Sequence, residues 1–290
     1  MVKIATTCMR SEYDVAENLA KMMKWIDEAA NNGANLIVFP EICLQCYPCR
    51  DLITEQEYQW KTAELIPEGE STQTLIRKAK EKNIYIVWGM TELDKEDSYK
   101  KYNTNVLVGP EGYIGKYRKV HRGLSENFIW YKSDEFGFNV FDTSIGKIGM
   151  CTCLDKAHPE SALELAALGA EIIAMPTGWP YANSDLPTEE DTMYRFYQLY
   201  DRARAAENSV YWVSSNTVGL NGCYNFVGNS NIVDPSGKIV ATTGEAEGIA
   251  YYEIDDLQAD VYRHRTTDFL GFAVSQGRRP EMYKNLVSEF

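Results

Sequence analysis

The chain has 290 residues, 44% of them hydrophobic and 24% charged, with no low-complexity tract, which excludes a disordered or fibrous protein. Twenty-nine basic against 42 acidic side chains give a net charge of −13, which argues against nucleic acid or an anionic membrane surface as the main partner. No stretch approaches the roughly 20 apolar residues of a membrane helix. Met1-Val-Lys-Ile4 opens a short apolar strand rather than a charged leader, so the sequence reads as cytoplasmic.

Residues 2–8 form an apolar run, then Val15, Leu19, Met22, Met23 and Ile26 recur at helical spacing until Asn31-Asn32-Gly33 caps the helix. Residues 36–39 are a buried strand. A helix over 71–82 and a strand over 84–90 repeat the unit, and 105–108 with 113–117 make a hairpin around Gly109-Pro-Glu-Gly112. The second half has strands at 139–141 and 147–153, a helix from Pro159 to Gly169, a strand at 171–175, a long helix over 189–208 and a strand at 210–215. Strands at 231–233, 238–242 and 248–254 complete the pattern. No linker or composition break divides the chain, so it reads as a single α/β domain over 1–290. The many hairpins suit two mixed sheets between helical layers.

Three chemistry-bearing groups stand at strand ends, where loops of an α/β fold converge. Glu41 follows Leu36-Ile-Val-Phe-Pro40, and burial there would raise its pKa toward that of a neutral-pH base. Cys153 ends Ile148-Gly-Met-Cys-Thr-Cys153 ahead of a helix start, an environment that activates a thiol, whereas Cys151 reads as core. In Gly115-Lys-Tyr-Arg-Lys119 the basic residues cannot all face one way, so one points inward toward Glu41 and Cys153, where it could stabilise an oxyanion.

The seven cysteines, an odd number, read as reduced thiols, and three scattered histidines, His121, His158 and His264, do not suit a multi-histidine zinc site. Cys43-x-x-Cys46-x-x-Cys49 lacks a matching ligand pair and reads as pocket wall rather than half a metal site. The serine-hydrolase elbow, the phosphate loop and the dinucleotide fingerprint are all absent.

In this order, Leu36-Ile-Val-Phe-Pro-Glu41, Gly115-Lys-Tyr-Arg-Lys119-Val-His121 and Ile148-Gly-Met-Cys-Thr-Cys153-Leu-Asp155 with Pro159-Glu160 resemble the three blocks of the nitrilase superfamily of carbon-nitrogen hydrolases. The likeness spans nearly the whole chain. It implies a four-layer αββα sandwich, a catalytic set of Glu41, Lys119 and Cys153, and a second glutamate, Glu126, that helps position the substrate. The family's block aligns its nucleophile with Cys153 rather than Cys151. Leu154 replaces the usual aromatic after the nucleophile, and Ala157-His158 replaces the common Arg-Phe.

The expected activity is cysteine-dependent hydrolysis of a small amide or N-carbamoyl compound, with ammonia released through an acyl-thioester on Cys153 and no metal or organic cofactor. Nitrile hydrolysis by the same residues, a non-catalytic binding member of the fold, and a cysteine-histidine hydrolase using His121 or His158 are the alternatives. Leu154 (through its main-chain N–H), Lys156, Trp179 and Tyr181 are the candidate substrate-binding residues, with Lys156 available to a substrate carboxylate. The tail 266–290, with Phe269-Leu-Gly-Phe272 and Arg278-Arg279-Pro280, is apolar enough to pack against a partner subunit, and the resemblance implies a homodimer or higher homo-oligomer.

Overall fold

The computed structural model describes residues 1–133, 137–266 and 279–283. Two six-stranded sheets carry the fold. The first is built from β1 (Val2–Cys8), β2 (Leu36–Val38), β3 (Tyr85–Leu93), β4 (Lys101–Gly109), β5 (Gly112–Arg118) and, arriving from the far end of the chain, β14 (Gly248–Ile254). Their spatial order is β14-β1-β2-β3-β4-β5. The second takes β6 (Val140–Thr143), β7 (Gly146–Met150), β8 (Ile172–Thr177), β9 (Tyr211–Asn216), β12 (Asn231–Val233) and β13 (Ile239–Thr242), in the order β13-β12-β9-β8-β7-β6. A hairpin of β10 (Val218–Asn221) and β11 (Tyr224–Val227) stands apart from both sheets.

The apolar runs form strands because both faces of each sheet are covered. On the first sheet Ile4, Leu36, Val38 and Val87 join Met150, Ala174 and Val213 of the second sheet in one cluster. Their neighbours Ala5, Ile37, Ile86 and Trp88 pack with α1 (Val15–Asn31) and α3 (Glu70–Lys82) through Met22, Ile26, Leu75 and Ala79. Over the second sheet lie α4 (Pro159–Ala167) and α5 (Thr192–Asn208), which bury Leu165 and Ala205. The layers therefore run helix, sheet, sheet, helix. Thr6 Oγ1 donates to Ser214 O at 2.6 Å and stitches the sheets together.

Capping sets the helix boundaries. Asp14 accepts from Ala16 N and Glu17 N to start α1. Asp191 accepts from Tyr194 N at 2.8 Å, so α5 begins at Thr192 rather than at 189 as its polar lead-in suggests. Two helices escape the periodicity: α2 (Leu52–Thr62) and α6 (Leu257–Thr266). The strand expected over 147–153 ends at Met150. Among the described residues no helix is long and apolar enough to cross a membrane. Of the tail expected at a subunit interface, Phe269, Leu270, Gly271, Phe272 and Arg278 lie outside the described residues.

Topology brings the chemistry to one edge. Strands β1, β2 and β3 are parallel, and two antiparallel steps through β4 return β5 to the same direction. In the other sheet β7, β8 and β9 are parallel. The segments leaving β2, β5, β7 and β8 meet where the sheets abut: Glu41 N lies 3.4 Å from Thr177 O across the seam.

Candidate active site

Glu41 is fully buried three residues beyond β2. The backbone can lie there because β3 has Gly89 opposite, where a Cβ would come within 2.7 Å of Glu41 Cα and 2.5 Å of Ile42 N. Its Oε1 accepts from Lys119 Nζ and from Asn103 Nδ2, each at 2.7 Å. Its Oε2 accepts from Gly178 N at 2.9 Å. Burial raises the Glu41 pKa, and nearby Glu126 adds to the rise while Lys119 opposes it.

The ambiguity among the three basic residues resolves by alternation. Lys116 and Arg118, two apart on β5, both pair with buried Glu92. Lys119, one residue past the strand, turns the other way into Glu41 and Glu126, with Nζ 2.7 Å from an oxygen of each. Burial works against its charge, but the two carboxylates outweigh that and hold its pKa above the ordinary lysine value. Glu126, on a short helical turn after Gly123, takes Tyr47 Oη at 3.0 Å and Gly123 N at 2.6 Å as further donors.

Cys153 sits on the first residue of a 3₁₀ turn, Cys153–Ala157, with φ of 47°. This left-handed conformation costs a non-glycine residue about 1–3 kcal/mol and needs local support. Asp155 supplies it. One carboxylate oxygen accepts Thr152 N and Tyr117 Oη, each at 2.7 Å, and the other accepts His121 N at 3.0 Å. The same group thus ties the Cys153 turn to β5 and the segment carrying Lys119. The thiol lies 3.9 Å from Gly178 O and packs with Trp179, Tyr194, Tyr197 and Val227. Burial, then the Glu41 charge, push its pKa up to about 12. The expected activation of the thiol by a helix start thus meets burial and a neighbouring carboxylate that both favour the protonated sulfur.

Trp179 lies against the thiol, its indole N–H donating to Met193 O at 2.8 Å, and Tyr181 borders the same cluster. Leu154 is half-buried beside Cys153. Lys156 is a correction. Its ammonium is sealed from solvent, 3.0 Å from Asp201 Oδ1 and stacked 3.5 Å over the Tyr197 ring, so it is committed to the protein rather than offered to a substrate carboxylate. His121 and His158 stack on each other at 3.9 Å, and His121 Nδ1 meets Asp155 Oδ1 at 2.8 Å, which turns this pair to the support of the turn rather than to the thiol.

The three spaced cysteines do not form the pocket border. Cys43 points into the helix-side core against Met22, Cys46 donates to Ser11 O at 3.3 Å and Cys49 to Tyr47 O at 2.9 Å. Beside Glu126 a cavity of about 40 Å³ is lined by Tyr47, Ser125, Ile129 and Tyr224, and by none of these three cysteines. Among the described residues no group of three or more His, Cys, Asp or Glu could hold a metal ion. A larger cavity of about 390 Å³ lies at the opposite end of β9, around Tyr211 and Asp260, away from these groups.

Asn103, Tyr47 and Gly178 were missed by sequence reasoning. A signal existed for the first: Asn103 and Asn105, two apart in a strand flanked by apolar residues, place two amides on one buried face, and Asn105 Nδ2 reaches Cys151 O at 3.0 Å.

A two-sheet sandwich with these segments at one edge defines a class of hydrolase acting on carbon–nitrogen bonds. The sequence model of the carbon-nitrogen hydrolase family matches residues 3–263, and the chain belongs to that family. A nitrilase of Pyrococcus abyssi is 35% identical over 283 residues, covering 93% of this chain and 99% of the relative. An N-carbamoylputrescine amidase of Solanum lycopersicum is 28% identical, covering 99% of this chain and 95% of the relative. Among solved structures, a carbon-nitrogen hydrolase from Helicobacter pylori G27 superposes with a TM-score of 0.84 at 23% identity, covering 99% of this chain and 98% of that one.

Proposed function

We propose that this carbon-nitrogen hydrolase cleaves a non-peptide bond in a small amide or N-carbamoyl compound, with Glu41 as base, Cys153 as nucleophile and Lys119 as electrophile. The observation that carries this reading is the contact of Lys119 with Glu41 at 2.7 Å beside a thiol held protonated by burial and by the Glu41 charge. Such a thiol needs a base at the moment of attack, and a buried carboxylate of raised pKa is suited to take its proton.

Glu41 takes the thiol proton as sulfur attacks the carbonyl carbon. Lys119 Nζ and the main-chain N–H of Leu154 hold the oxyanion. Glu41 passes the proton to the departing ammonia, then activates water against the acyl-thioester. Glu126 and Tyr47 hold Lys119 in place, and Trp179 and Tyr181 form part of the substrate wall. The N-carbamoylputrescine amidase relative supports the N-carbamoyl class, and an omega-amidase of Homo sapiens, 29% identical over 87% of this chain and 91% of the relative, supports the simple amide. Nitrile hydrolysis by the same residues is the second reading, favoured by the Pyrococcus relative.

Ammonia release from a panel of amides, N-carbamoyl compounds and nitriles tests the proposal. Amide or N-carbamoyl turnover that disappears with Cys153→Ala is expected; turnover surviving that change overturns it. The chain is further read as one catalytic domain over 1–290, acting as a homodimer or higher homo-oligomer; Phe196 and Leu199 exposed on α5 support association, and light scattering checks it.

A further inference from the structure

A carboxylate offers two lone pairs on each oxygen, and the partners of Glu41 divide unevenly between them. Oε1 accepts two donors, Lys119 Nζ and Asn103 Nδ2. Oε2 accepts one, Gly178 N, among the described residues. The carbonyl of the same Gly178 lies 3.9 Å from the Cys153 sulfur, so one residue touches both the less occupied oxygen and the thiol.

Asn103 makes this division from β4. Its main-chain carbonyl accepts Lys119 N at 2.8 Å, while its side-chain amide reaches Glu41. One residue therefore registers both base and ammonium. Its Oδ1 is buried without a partner among the described residues, so it is the nitrogen that is put to use. The amide cannot be turned over without setting that oxygen against Glu41 Oε1.

We propose that Asn103 is a positioning residue: with Lys119 it fills both lone pairs of Glu41 Oε1 and leaves Oε2 as the oxygen that takes the Cys153 proton. The inference rests on the reading of Glu41 as base. In the attack step the S–H bond breaks and its proton moves to Oε2, the S–C bond forms, and the carbonyl π pair goes to oxygen. On collapse the C–N bond breaks and the Oε2 proton goes to the departing nitrogen. The Asn103 donor also favours the ionised carboxylate, against the burial that raises its pKa.

The test is the pH dependence of kcat/KM for the wild type, Asn103→Ala, Asn103→Asp and Glu41→Gln, beside thermal unfolding. Asn103→Ala is expected to lower kcat about 10- to 100-fold, the effect of one lost hydrogen bond to a charged group, with KM little changed. Its acid limb should move to higher pH, because the ionised form of Glu41 has lost a donor. Asn103→Asp keeps the shape, removes the donor and should be at least as slow, which carries the test if the alanine variant fails to fold. A folded variant with an unmoved acid limb overturns the proposal, as does a loss that merely follows the folded fraction. Glu41→Gln retaining the wild-type rate and limb would overturn the reading of Glu41 itself, a separate result.

Discussion

Two buried lysines stand close to Cys153, and they are built differently. Lys119 faces two carboxylates, Glu41 and Glu126, a formal excess of one acidic group over the single ammonium. Lys156 faces one, Asp201, and is sealed beneath Tyr197 and Trp179. The environments move the two ammonium groups in opposite directions. Burial lowers the Lys156 pKa despite Asp201, while the two carboxylates raise that of Lys119 despite burial. A one-to-one sealed pair balances its own charge within the protein. A cluster with a surplus acidic group beside a protonated thiol has a place for a further proton.

The largest test of that contrast removes the thiol. Cys153→Ala should abolish turnover, on the order of 10⁴-fold or more, with no acyl adduct by intact mass. Glu41→Gln comes next, at about 10²–10⁴-fold, the range for a general base. In the wild type, kcat/KM should fall as pH drops through the raised Glu41 pKa, because the base must be ionised to act. The acid limb should therefore lie above the roughly 4 of an unperturbed glutamate.

How much of this could be read in advance depended on whether a position's burial matched its polarity. Glu41 was legible because an apolar strand runs straight into it. Cys153 was legible in identity but not in conformation, since its turn depends on Asp155 reaching back to Thr152 and across to Tyr117. Helix α2 was illegible for a definite reason: it buries Glu55 and Gln59 while exposing Leu52 and Ile53, the reverse of an amphipathic pattern. Gln59 belongs inside because Thr91 Oγ1 donates to it and its own amide donates to Cys46 O at 2.8 Å, partners distant in sequence. Helix α6 buries only Leu257 and Val261, too few to declare a stripe. The same logic hid Asn103, whose worth lies in a carboxylate 62 positions away.

A smaller effect is expected from the second carboxylate on Lys119. Glu126→Gln keeps an acceptor for Tyr47 but removes a charge, and kcat should fall about 10- to 100-fold. Its pH signature is opposite in sign to that of Asn103→Ala. The Glu126 charge helps to raise the Glu41 pKa, so its loss should move the acid limb of kcat/KM to lower pH. A limb that rises instead would mean that Glu126 acts on Glu41 chiefly through the placement of Lys119.

The smallest effect on turnover is expected at the other lysine. Lys156→Met alone strands Asp201 as an unpaired buried carboxylate and should cost about 3–5 kcal/mol in urea unfolding. Lys156→Met with Asp201→Leu removes both charges, and an apolar pair of similar volume should leave stability unchanged or raise it by about 1–4 kcal/mol. Trp212 Nε1, which donates to Asp201 Oδ1 at 2.9 Å, keeps Ser214 Oγ at 3.0 Å as a partner, and Arg204 Nε still has the main-chain carbonyl of residue 156. The double variant should therefore hydrolyse its substrates within a few-fold of the wild-type rate. A KM that rises for anionic substrates alone would show that Lys156 reaches the substrate after all, and would erase the distinction between the two lysines.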